Sequence, residues 1–228
     1  MPAGLQIYND AGFIQIDDSY KNCAFISKGT ATTDLDIDST EPTSGVILSF
    51  TGRTNPMIAF RSSNLLSCIY LNKSGNTYNW YVYVNAPLGT TFTWYLFDDP
   101  VASGVNSGLQ VFTASGVLTF ESGQRYARVI DFIKDFKYGD GSPSYTYDSA
   151  KSYAFCFASP GLSVQRIPPG PGGTPPQRLY RWAQGARSIT GGLAQGTWRA
   201  WQSTLGGSGT GTTFISKTDM LVLDVTGF

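Results

Sequence analysis

Short runs of apolar residues whose side chains divide between two faces with a period of two, separated by polar turn residues, recur along this chain. Cys23 and Phe25 alternate with Ala24 and Ile26, and Tyr153, Phe155 and Phe157 alternate with Ala154, Cys156 and Ala158. That period is the signature of a strand with two distinct faces. The same reading predicts strands over 35–37, 45–50, 57–61, 66–71, 80–84 and 91–97, and one or two over 213–225. Turn residues punctuate them at intervals of about 8–12 residues, the rhythm of a sandwich or barrel. Asn72-Lys73-Ser74-Gly75-Asn76 joins two of these runs as a hairpin. One stretch, 125–136, carries a helical alternative, because Ile130, Ile133 and Lys134 fall at helix spacing, but its β-branched content fits a strand equally. The predicted fold class is all-β, antiparallel and sandwich-like, with little helix.

A repeat adds the domain organisation. Gly4-Leu5-Gln6-Ile7-Tyr8 leads through Asn9, Asp10 and Gly12 to Ile14 and Asp17. Gly108-Leu109-Gln110-Val111-Phe112 leads through Thr113, Ser115 and Gly116 to Leu118 and Glu121. The offset is constant, and each copy reads as a hairpin around a Gly-containing polar turn. The chain is therefore expected to hold two tandem related units, residues 1–105 and 106–228. In the second, the Pro- and Gly-rich segment 168–176 reads as a surface loop, since a sheet ladder does not tolerate that density of Pro. Leu221-Val222-Leu223-Asp224-Val225 is expected to close the second unit as Thr91–Phe97 closes the first.

The repeated motif also carries a resemblance. Its second copy, from Gly108 through Glu121-Ser122 to Arg125, Arg128 and Asp131, follows the aromatic strand Trp94-Tyr95-Leu96-Phe97 and an irregular segment. In this it resembles small structural proteins of tailed-bacteriophage tail gene clusters, and Met-Pro-Ala-Gly-Leu-Gln is a similar start. The resemblance covers the first two-thirds of the chain and stops near Pro168. It implies a virion component near the tail tip or fibre, assembled in the host cytoplasm, with other phage tail proteins as partners, symmetric homo-oligomeric copies and no catalytic residues.

Composition narrows the chemistry. Aromatic residues make up 14% of the 228 and charged residues only 14%, so much of the surface is expected to be covered by partners. Net charge is zero and no basic run exists, which argues against nucleic acid. No stretch approaches the ~20 apolar residues of a membrane span. There is no histidine, which removes the commonest general base and metal ligand. The only glutamates are Glu41 and Glu121, and Glu121 falls at a repeated position that reads as structural. Asp98 and Asp99 are adjacent, so on a strand they point opposite ways.

Asp34, Asp36 and Asp38 line one side of a predicted strand, but Ser39 and Gly45 stand where a calcium loop needs Gly and Glu. No metal and no cofactor is expected. Cys23, Cys68 and Cys156 read as buried free thiols. The remaining candidates are Trp182, Trp198 and Trp201 with Arg181 and Arg199, set among Gly, Gln and Thr. Such placement suits a subunit interface or stacking on a host surface glycan, as well as ordinary packing. The expectation is a non-enzymatic tail protein, with a glycan-binding module or a capsid decoration protein as alternatives.

Overall fold

A computed structural model describes residues 6–8, 14–16, 21–38, 40–104, 107–167, 177–205 and 213–228. The loop expected at 168–176 lies outside these residues, as does most of the first copy of the repeat. Among the described residues the protein is all-β, without helix.

The first half of the chain forms β1 (Ile7–Tyr8), β2 (Ile14–Ile16), β3 (Ala24–Thr32), β4 (Leu35–Asp38), β5 (Thr43–Thr51), β6 (Met57–Arg61), β7 (Leu66–Ser74), β8 (Thr77–Asn85) and β9 (Thr91–Asp98). The second forms β10 (Gln110–Phe112), β11 (Leu118–Glu121), β12 (Val129–Lys137), β13 (Ser144–Thr146), β14 (Tyr153–Ser159) and β15 (Leu162–Ile167). It continues with β16 (Gln177–Ile189), β17 (Gly192–Leu205), β18 (Thr213–Ile215) and β19 (Lys217–Asp224). The ambiguous stretch after Arg125 is thus a strand from Val129 onward, where its β-branched residues win over the helical spacing.

Two antiparallel sheets pack face to face. One has six strands in the order β12-β19-β14-β6-β9-β3, the other nine along a path β13-β17-β16-β7-β8-β5-β4, with β15 beside β16 and β18 beside β15. The period of two decides which side chains meet between them. Phe60, Leu96, Phe155 and Val222 come from the first sheet and Leu66, Trp80, Val82 and Val84 from the second, all buried in one core. The alternate residues Ala59, Phe97, Ala154 and Leu223 form a second apolar layer on the far face of the six-stranded sheet. Phe228 folds back over that face, its ring 4.9 Å from Phe25 and 5.9 Å from Phe97.

Connectivity repeats in the two halves. A hairpin comes first, β1–β2 or β10–β11. In the six-stranded sheet β3 pairs with β9 and β9 with β6, just as β12 pairs with β19 and β19 with β14. In the other sheet β5–β8–β7 matches β13–β17–β16. The terminal strand β19 therefore occupies the place of β9. Strands from both sides of residue 105 enter both sheets, and the equivalent strands meet antiparallel at a central seam: β6 against β14 at Phe60–Phe155, and β7 against β16 at Leu66–Ala186.

The long β16–β17 hairpin is not evident in the sequence pattern, because Gly185, Gly192 and Gly196 interrupt it. Each glycine marks a close approach. A Cβ on Gly185 would stand 2.2 Å from the Leu66 carbonyl oxygen, and one on Gly192 would stand 1.9 Å from that of Tyr145. The hairpin turns at Gly191, whose φ of 66° is costly for any residue with a Cβ. The added strands β15 and β18 are held by a buried polar cluster. Gln184 donates to the Ser163 hydroxyl and the Ser216 carbonyl, at 3.0 and 2.8 Å, and accepts from Thr218.

Candidate groove beside the tryptophan-rich hairpin

The first part of β16 and the last part of β17 carry the tryptophans across the outer face of β8 and towards β4. A bulge governs what they present. Arg181 is opposite Trp201 and Trp182 opposite Arg199, so Ala200 is the extra residue. An extra residue puts neighbours that would alternate onto one side. Trp198, Ala200 and Trp201 consequently face the same way, although regular alternation would separate Trp198 from Trp201. A second bulge, between Asp36 and Asp38 in β4, presents Asp36 and Ile37 together and turns Asp38 inward.

Between these two irregular strands lies a groove of about 290 Å³. One wall is Asp36, Ile37 and Tyr83, and the other is Leu162, Arg181 and Trp201. Trp198 is not at the surface. It is 5% exposed and packs with Ala183, Ala200, Leu65 and Tyr83, so it braces the groove from beneath. The Arg181 guanidinium lies 4.6 Å from the centre of the Trp201 ring, a cation–π contact that covers one ring face. Burial pushes the Tyr83 hydroxyl up from its ordinary pKa, so it stays protonated at neutral pH and both donates and accepts.

One end is stapled. Arg199 pairs with Glu41, and the Asp38 carboxylate accepts from the Gln202 amide at 2.8 Å and from Thr40. The acidic strand thus spends Asp38 on holding β4 to β17. Burial alone would raise the pKa of Asp38, but the bonds from Thr40 and Gln202 outweigh it and lower it. Arg199 also lies 5.0 Å from the Tyr180 ring. Of the five candidate residues, Trp201 and Arg181 line the groove, Trp198 supports it, and Arg199 ties its end. Trp182 is elsewhere, 5.0 Å from the Tyr138 ring.

The remaining acidic candidates are engaged locally. Asp98 is buried and accepts from the Thr54 and Asn55 amides at 3.0 and 2.7 Å, while Asp99 pairs with Lys21. Glu121 is 2% exposed and accepts from Ser103, Gln110 and Gln124. Among the described residues no cluster of three metal-ligating side chains occurs, and Cys23, Cys68 and Cys156 are free thiols. Burial pushes Cys23, helped by Asp98 and Asp99, up to about 12, and Cys156 likewise, which keeps both as unreactive thiols. Among the described residues no helix is long and apolar enough to cross a membrane.

A larger cleft of about 620 Å³ opens beside Arg61, lined by hydroxyls including Ser62, Thr91 and Thr93. Its aromatic residue, Phe92, is only 3% exposed, so it offers no ring for stacking. The groove beside Trp201 has the richer chemistry. No protein-family model, curated protein or solved structure matches this chain.

Proposed function

We propose that the chain is a non-enzymatic structural subunit of a bacteriophage tail, near the tip or fibre, that works through contacts with other tail proteins and with further copies of itself. The observation that carries the assembly reading is the exposed apolar patch at the edge of the six-stranded sheet. Its outermost strand, β12, leaves Val129 50% exposed, Ile130 43% and Phe132 42%. The strand carries charges (Asp131, Lys134, Asp135, Lys137) and two bulges, which blunt an edge against indiscriminate pairing, while its three exposed apolar side chains suit a surface supplied by a neighbour. The repeated Gly-Leu-Gln hairpin, through its resemblance to tail proteins, supports the choice of particle.

Mass spectrometry of separated heads and tails from the source particle tests this reading. Enrichment in tails at a fixed copy number is the expected outcome. Fractionation with heads replaces it with capsid decoration, and absence from both overturns it. Ile130→Lys with Phe132→Glu should remove the chain from assembled tails while leaving its folded spectrum intact.

A further inference from the structure

We infer that the groove between β4 and the β16–β17 hairpin is a binding site for a neutral saccharide, with Trp201 as the stacking platform. Three polar groups facing it are unspent. Among the described residues the Asp36 carboxylate, the Tyr83 hydroxyl and the Arg181 guanidinium have no hydrogen-bond partner, although Asp38, Thr40, Glu41, Arg199 and Gln202 a few residues away are all engaged. Asp36 and Arg181 are exposed to solvent and Tyr83 is half-buried, so a ligand entering the groove meets an acceptor, a donor and a two-way hydroxyl around one partly open indole.

The chemistry selects the ligand. A sugar ring presents an apolar face of C–H groups, which suits the Trp201 indole that lines the groove. Around its rim it presents hydroxyls that both donate and accept. Asp36 accepts from such hydroxyls, Arg181 donates to them, and Tyr83 does either. One carboxylate and one guanidinium leave the groove without net charge, so neither a phosphorylated nor an acidic sugar is favoured over a neutral one. The volume, about 290 Å³, sits at the lower end of the ~300–1,000 Å³ range of ligand sites and suits the end of a chain, one or two rings long. Trp198 below Tyr83 and the Glu41–Arg199 and Asp38–Gln202 ties fix the two walls before any ligand arrives.

The test is calorimetric titration and saturation-transfer NMR of the full chain with glucose, galactose, N-acetylglucosamine and their β-linked disaccharides at millimolar concentration. Saturation transfer to at least one sugar is expected, and Trp201→Ala should abolish it. Asp36→Asn, which keeps shape, should weaken binding about tenfold or more, and Trp182→Ala, off the groove, should leave it unchanged. The natural tryptophan fluorescence should shift on binding in the parent chain and not in Trp201→Ala. Silence across the whole panel overturns the proposal, as does binding that survives both groove variants. Neither result bears on whether the chain is found in tails, so the two readings fail separately.

Discussion

Glu121 shows how a single charged side chain was put to structural use. Hydrogen bonds from the Ser103 and Gln110 side chains and the Ser103 amide lower its pKa below the ordinary value of 4.5. A carboxylate whose folded pKa is depressed contributes stability above its unfolded pKa and loses it as pH falls through the folded value. Asp224 is lowered in the same direction: burial alone would raise it, but the Thr226 amide and hydroxyl, Lys151 and Arg128 prevail. Thermal stability should therefore be level near neutrality and fall once pH drops below about 4. Glu121→Gln should melt earlier than the parent at neutral pH, and the gap should close in acid. A constant gap at every pH, followed by circular dichroism, would mean that the charge is irrelevant. Glu121 was legible as structural from the repeat, whereas the partners that secure it, Ser103 and Gln124, carry no signal of their own in the sequence.

At the scale of elements the glycines of β16 and β17 separate pattern from packing. Gly185→Ala forces a methyl against the Leu66 carbonyl and the Trp198 ring, and should cost about 1–3 kcal/mol in denaturant unfolding. Gly123→Ala, where an added Cβ meets nothing within 4 Å, serves as the contrast and should be neutral or slightly stabilising. Equal effects at the two sites would remove close approach as the reason for Gly185. The alternation of Tyr153 to Phe157 and the turn at Gly75 made β14 and the β7–β8 hairpin readable. β16 and β17 were hidden, because a glycine admitted by a close neighbour looks in sequence like a break. The groove was half readable. Tryptophan and arginine in a polar setting marked the region, but only the bulge at Ala200 joins Trp201 to the Trp198 side, and nothing local announces it. Asp36 enters from a strand more than 160 residues away in sequence, and Tyr83 enters from the middle of an otherwise ordinary strand.

For the whole molecule, the duplicated connectivity and the shared sheets make opposite suggestions about independence. The core decides between them. Phe60 of the first half and Phe155 and Val222 of the second are buried in one cluster, so neither half covers its own apolar surface. Scanning calorimetry should show one heating transition, with calorimetric and van't Hoff enthalpies equal; two resolved peaks would establish independent units. The long ladders of β16–β17 and β3–β9 lie within each half, whereas the seam has a single paired position in each sheet; the halves are tied further by backbone bonds from Asn22 to Thr119, Phe25 to Arg125, Ala127 to Cys23 and Ser188 to Ser62, and by the Glu41–Arg199 and Asp38–Gln202 contacts. To these bonds the facing side chains of the shared core add the exclusion of water. Near room temperature that force is entropic and fades on cooling, while a hydrogen-bonded ladder depends on it far less. Cold weakens the shared core of both halves at once, so a chilled chain should unfold as one body and not part along its middle into two folded pieces.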